Sequence, residues 1–286
     1  EIKVYSSERK SNNAFLKLSS LLEVYNGEQT VEDIQITEVI HIGDSLQVSG
    51  KGKLFSVQSE WKQGKESSQY IEVDLNVQYN QEVSGDFGFQ FKAQLAGNGK
   101  PTWMIPGAFY KENRVEHNAR QYPRYDYQGG NHEEMVSDHW SFRSDRAALP
   151  AVFAWNDEMC GALSVEEMSP LGLTGLGFKG NETETSIWVN FPYKEEPVTF
   201  VGQAIPEPKD ISLYTFKPGE SVNLRVKIYA GSADLHSYDP FVREIYKQHQ
   251  QEYALNPWMG LEEAAELTAH GLYRWHYMPE HSILAE

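Results

Sequence analysis

The 286-residue chain carries 41 acidic against 25 basic side chains, a formal net charge of −16 that stays negative even with all nine histidines protonated. Nucleic acid and anionic membranes require a positive surface, so bulk charge excludes both as partners. Hydrophobic residues make up 40% and charged residues 23%, the composition of a folded chain without the roughly 18-residue apolar run of a membrane span; one cysteine, Cys160, leaves no internal disulfide and no cysteine-based zinc site.

From the start to about residue 235 the hydrophobic period is two. Ile71, Val73, Leu75, Val77 and Tyr79 alternate with polar residues, as do Phe87, Phe89, Phe91, Ala93 and Leu95. Ile187, Val189 and Phe191 repeat the pattern, and so do Val222, Leu224, Val226 and Ile228. Turn clusters such as Gly97-Asn-Gly-Lys-Pro101 and Lys217-Pro-Gly219 punctuate these runs. Strands in series without helices between them give antiparallel sheets. At more than twice the roughly 100 residues of an immunoglobulin-like module, the region predicts either two sandwiches or one oversized one.

After about residue 238 the period becomes helical. Asp239-Pro240 is a capping residue followed by proline at the first helical position, and Phe241 and Ile245 mark successive turns up to the break at Asn256-Pro257. A second helix is predicted from Leu261, Ala265, Thr268, Leu272 and Trp275, an apolar stripe spaced four, three, four and three. Two such helices cannot cover both their faces alone. They require the sandwich, or further helices, to pack against.

Several motifs carry less than their pattern suggests. Gly175-Leu-Gly177-Phe-Lys-Gly180 matches G-x-G-x-x-G, but the β-rich run through Ile187-Trp-Val189 follows it where a dinucleotide site needs a helix. These glycines read as a hairpin or bulge, and Cys160 as a small buried thiol. Neither a cofactor nor a metal is expected, since the spacing His132-x6-His139 is not diagnostic of one.

Between Trp103 and Trp155 ten of 53 residues are aromatic, against 13% in the whole chain. They are interleaved with Asn113, Arg114, His139, Arg143 and Asp145. A pyranose has an apolar C–H face and a rim of hydroxyls, so flat rings beside hydrogen-bonding groups suit it. The alternative is a long loop over the sandwich, with its aromatics a satellite core and its charges surface pairs. Near the other end, Gly271-Leu-Tyr-Arg-Trp-His-Tyr-Met-Pro-Glu280 is rich in pocket-type side chains, with His276 and Glu280 at or beyond the helix end.

The stretch Pro101-Thr-Trp-Met-Ile-Pro-Gly-Ala-Phe-Tyr-Lys-Glu-Asn-Arg114 resembles the segment that carries a PG…Y…N-R pattern in bacterial carbohydrate-active enzymes, and His139 to Pro150 is similar to the strand entry that follows it. In those enzymes a galactose-mutarotase-like β-supersandwich precedes an (α/α)6 toroid of glycoside-hydrolase or lyase character. The resemblance implies a mainly β fold, with a large antiparallel supersandwich over residues 1–236 and two C-terminal helices over 237–286 that begin a toroid. Twelve toroid helices need on the order of 200 residues, whereas 48 follow Tyr238, so the chain is expected to be an N-terminal piece, inactive in hydrolysis by itself. The resemblance implies an oligosaccharide or polysaccharide as partner, together with intramolecular contact to the missing toroid. The expected substrate-binding residues are Trp103, Tyr110, Asn113, Arg114, His139, Trp140, Arg143, Asp145, His276 and Glu280, with the catalytic pair unassigned. A mutarotase-like aldose epimerase using a histidine and a carboxylate, and a carbohydrate-binding module without chemistry, are the alternatives.

Overall fold

A computed structural model describes residues 2–4, 16–64, 70–96, 102–109, 139–156, 159–180, 185–196, 209–232, 238–252 and 259–284. The chain forms two compact units, Glu1–Arg243 and Glu244–Glu286, a division that falls inside the first long helix. The first unit is built from strands. In chain order they are β1 (Ile2–Val4), β2 (Leu16–Leu18), β3 (Leu22–Asn26), β4 (Gln29–Ile42), β5 (Ser45–Lys51), β6 (Phe55–Gln63), β7 (Tyr70–Tyr79), β8 (Gly85–Leu95) and β9 (Thr102–Met104). After the aromatic segment come β10 (His139–Arg143), β11 (Ala151–Trp155), β12 (Met159–Ser164), β13 (Met168–Ser169), β14 (Gly172–Leu173), β15 (Gly175–Gly180) and β16 (Thr185–Phe191). The last are β17 (Lys194–Glu195), β18 (Asp210–Ile211), β19 (Tyr214–Phe216) and β20 (Ser221–Ser232).

The main strands form one continuous antiparallel path, β10-β15-β16-β8-β3-β4-β5-β6-β7-β20-β12-β11-β9. The fourteen-residue β4 is shared between two layers: Gln29–Ile34 pairs with β3, and Gln35–Ile42 pairs with β5. Register shifts at Val24/Tyr25 and at Ile36/Glu38 flank the turnover, where bulges add bend and twist. The sheet thereby folds back, and β11 and β12 lie against β8, β15 and β16. The result is a large antiparallel sandwich, as the period-two runs require.

Alternation places the core between the layers. Inward on β7 lie the buried Val73, Leu75, Val77 and Tyr79, and on β20 Val222, Leu224, Val226 and Ile228, while Tyr70 and Tyr229 are buried at the opposite phase. At one end of the core Phe55 meets Tyr79, Phe87, Phe89 and Phe216 with ring centroids 4.9–5.3 Å apart, three of these contacts edge-on, the offset geometry that aromatic quadrupoles favour. On β16 every residue is buried, the intervening Ser186, Trp188 and Asn190 included, so both of its faces are covered. The glycine-rich stretch is the hairpin strand β15. Gly177 is fixed by crowding, since a Cβ there would lie 2.2 Å from Trp188 Nε1 and 2.8 Å from the Trp140 carbonyl. Cys160 is a fully buried thiol.

Helix α1 (Asp239–Glu252) opens within the first unit, where Phe241 stacks on Tyr229 at 4.9 Å and meets Phe153 at 5.9 Å. The second unit contains α2 (Leu261–Gly271), one turn of π-helix (Leu272–His276) and a short hairpin, β21 (Tyr277–Met278) with β22 (Ile283–Leu284). The π turn continues the chain without the i+4 spacing, so the predicted stripe does not run as one helix through Trp275. No residue of α2 is buried, and Leu261 and Trp275 are 90% and 74% exposed. The break at Asn256-Pro257 lies outside the described residues. No described helix is long and apolar enough to cross a membrane.

Candidate functional site

Two polar clusters stand out on the sandwich unit. The first grows from the outward positions of β7 and β20. Leu224 and Val226 point inward, so Asn223 and Arg225 face out, and antiparallel register sets Arg225 opposite Asp74 and Asn223 opposite Asn76. Arg225 Nε donates to Asp74 Oδ1 at 2.8 Å and lies 3.4 Å from Glu72, while its Nη1 is 3.8 Å from Glu166. The Asp74 hydrogen bond raises the guanidinium's pKa further, with smaller contributions from Glu72 and Glu166. Asn76 Nδ2 donates to Asn223 Oδ1 at 2.8 Å. Thr174 ties down the adjoining segment by donating to the Glu166 carbonyl at 2.7 Å.

These side chains border a cleft of about 230 Å³ between the two strands and the β13–β14 hairpin. Its polar lining is Asp74, Glu166, Ser169, Asn223 and Arg225, and its apolar lining is Met168 and Pro170 over the buried Phe191 and Leu224. Arg225 keeps half of its side-chain surface exposed at 51%. The cleft thus offers carboxylate acceptors, an amide and a guanidinium beside an apolar wall.

The second cluster surrounds the end of β10. Arg143 forms a two-point contact with Asp145, Nη2 to Oδ2 at 2.6 Å and Nε to Oδ1 at 3.2 Å, and its guanidinium lies 5.1 Å over the Tyr193 ring. Tyr193 donates to Asp210 at 3.0 Å. Arg146, on a 3₁₀ turn anchored through Ser144 to Thr174, pairs with Glu195 through Nη2 at 3.1 Å. Glu195 is only 4% exposed, and burial pushes its carboxyl pKa up although Arg146 opposes the shift. Lys194 sits with its Nζ 3.7 Å above the Tyr25 ring, and burial pushes its pKa down against the pull of Glu196. The nearby carboxylates are engaged elsewhere, Glu196 and Glu28 by Lys209 at 3.2 Å each.

The residues expected from sequence divide among these places. Arg143 and Asp145 come together in the second cluster. Trp103 and Trp140 are buried in the core. They are 6% and 2% exposed, Trp103 stacked on Phe178 at 4.6 Å and Trp140 on Phe142 at 5.5 Å. In each indole one ring face is taken by the stacked phenylalanine. Tyr110, Asn113 and Arg114 lie outside the described residues, as does the side chain of His139, whose backbone pairs with Lys179. His276 and Glu280 are exposed in the second unit, at the π turn and in the hairpin connection. Sequence reasoning left out Asp74, Asn223 and Arg225, and also Tyr193, Lys194, Glu195 and Asp210. The usable signal was the outward phase of the period-two runs, which marks Asp74 and Arg225 once strand pairing is known. Among the described residues no group of three or more histidine, cysteine, aspartate or glutamate side chains is placed to hold a metal.

No protein-family model matches the chain, and no curated protein matches it. Solved structures do. A TPR-domain-containing protein from Parabacteroides distasonis aligns at 12% identity and a TM-score of 0.43, over 76% of this chain and 38% of its own. A putative aldose 1-epimerase from Escherichia coli K12 aligns at 11% and 0.37, over 71% and 70%. A galactose mutarotase-like protein from Lactobacillus casei aligns at 10% and 0.36, over 70% and 73%. The structural neighbours also include a putative kojibiose phosphorylase from the human microbiome and a polysaccharide lyase, of whose lengths the match covers 27% and 26%.

Proposed function

We propose that the chain is the sugar-binding sandwich of a carbohydrate-active enzyme and that the cleft between β7, β20 and the β13–β14 hairpin holds a single neutral sugar ring. The observation that carries this reading is the lining of the cleft. Asp74, Asn223 and Glu166 offer acceptors and an amide donor to ring hydroxyls, and the exposed Met168 beside Pro170 offers apolar surface to a C–H face. At about 230 Å³ the cleft lies below the roughly 300–1,000 Å³ of drug-sized pockets, a size that favours one residue of a glycan over several. Arg225 is already matched by Asp74 and Glu72, so a sugar carboxylate would meet no spare positive charge.

In the same proposal residues 237–286 are the opening helices of an α/α toroid, with the hydrolytic carboxylates carried beyond them. The exposed apolar side chains of Leu261, Leu267 and Leu272 support this, being of the kind that further helices cover. Calorimetric titration with neutral monosaccharides and short oligosaccharides tests the binding claim. Saturable binding is expected, weakened about tenfold by Asn223→Ala, the loss of roughly one hydrogen bond. Equal affinity in the variant would reject the site, and glycan hydrolysis by residues 1–286 alone would reject the division of labour.

A further inference from the structure

Strand β4 has two different halves. Up to Ile34 it is flanked by β3, but from 35 to 42 the side away from β5 has no partner among the described strands. That leaves eight residues, about 26 Å of open edge at 3.3 Å per residue. The other described edges are shorter: β9 has three residues, β10 has five with Ser141 bridged by Glu196, and residues 29–34 of β4 and 221–226 of β20 are each paired on one side over six residues. Folded proteins blunt exposed edges with charged side chains, proline, bulges or brevity. The register shift and the charge of Glu38 mark only the start of this edge; Val39-Ile-His-Ile42 beyond them has none of these, and Val39, Ile40 and Ile42 are 50%, 43% and 50% exposed.

The turn fixes which backbone groups are open. Gly43, at φ +59°, and Asp44 form a two-residue connection closed by the Ile42–Ser45 pair, which makes that pair hydrogen-bonded. By alternation Ile40 and Glu38 also bond toward β5. The N–H and C=O of Val39 and His41 therefore point to the open side.

We propose that this edge is a self-pairing surface, through which two copies of the chain join in an antiparallel, two-fold pairing centred on Ile40. In that register Val39 exchanges both hydrogen bonds with the partner's His41 and His41 with the partner's Val39, so four open donors meet four open acceptors. Ile40 lies against its own copy, with Ile42 of each strand on the same face. Glu38 falls opposite Ile42, so no like charges oppose each other directly. A two-fold contact of this kind closes on itself and does not propagate into a fibre. Centring on Val39 moves the outer bonds onto Thr37, where the register with β5 shifts, and centring on His41 moves them onto the turn.

Cross-linking tests the register. The non-hydrogen-bonded Ile40 pair has Cα atoms about 4.5 Å apart, within disulfide range, whereas the two copies of residue 42 are four positions out of register, about 13 Å. Under mild oxidation Ile40→Cys is expected to give a covalent dimer at least tenfold more abundantly than Ile42→Cys, with the buried Cys160 taking no part. Sedimentation of the unmodified chain should show a dimer strengthened at about 1 M salt, where screening suppresses repulsion between copies of charge −16. Val39→Pro removes an edge-facing donor and spares the β5 ladder, so it should sediment as a folded monomer by circular dichroism, and Ile40→Lys should behave alike. A chain that stays monomeric throughout, equal cross-linking at 40 and 42, or a dimer untouched by both edge variants would overturn the proposal.

Discussion

The two polar clusters use the same side-chain types and differ in how much water reaches them. Around Arg225 the charges stand on the outward face of an antiparallel pair, half exposed, beside a cleft. Around Glu195 and Lys194 they are buried, Glu195 paired with Arg146 and Lys194 seated over the Tyr25 ring. Exposed ion pairs contribute little to stability and leave their hydrogen-bonding capacity for a ligand. Buried ones are costly to disrupt because a lone charge left behind is poorly solvated. The proposed sugar contact therefore falls on the first cluster, and the second is expected to serve structural cohesion.

Substitutions sharpen the contrast in descending order of effect. The largest is expected at a third place, the core: Trp140→Ala should cost about 3–5 kcal/mol in chemical denaturation, the range for buried aromatics. Such a loss, with sugar affinity kept in the folded fraction, distinguishes a core indole from a stacking platform. Next, Glu195→Ala should cost about 2–3 kcal/mol by removing a hydrogen-bonded partner of Arg146; a change under about 0.5 kcal/mol would erase the difference between the clusters. Arg225→Ala should cost less than about 1 kcal/mol while weakening sugar binding.

The smallest effect is a pH dependence. Burial holds the Glu195 carboxyl above its ordinary pKa, so between the ordinary and raised values the folded chain keeps a proton that the unfolded chain has released. Stability therefore falls as pH rises through that window. Glu195→Gln should flatten this part of the profile, and parallel profiles for the two proteins would remove Glu195 as its source.

Much of the architecture was legible because one-sided burial imprints period two on sequence, as on β7, β8 and β20. The site was less legible. Asp74 and Arg225 are 151 residues apart and become neighbours only through β7–β20 register, which alternation alone does not specify. Ser141 likewise meets Glu196 across an isolated bridge, bringing Glu195 beside Arg146. Composition grouped Trp140 with Arg143, yet positions three apart in a strand face opposite sides. Reading β10 as a strand separates them, Trp140 into the core and Arg143 to the polar face. The helical stripe from Leu261 was visible, but no residue of α2 is buried as a core face would be.

Amide chemical-shift mapping during a titration with a neutral monosaccharide bears most directly on the central claim. The expected result is saturable shifts confined to residues 72–76, 166–170 and 223–225, abolished by Asp74→Ala while the Arg143 region stays silent. Shifts centred on Arg143, Tyr193 and Glu195, or undiminished shifts in Asp74→Ala, would contradict it.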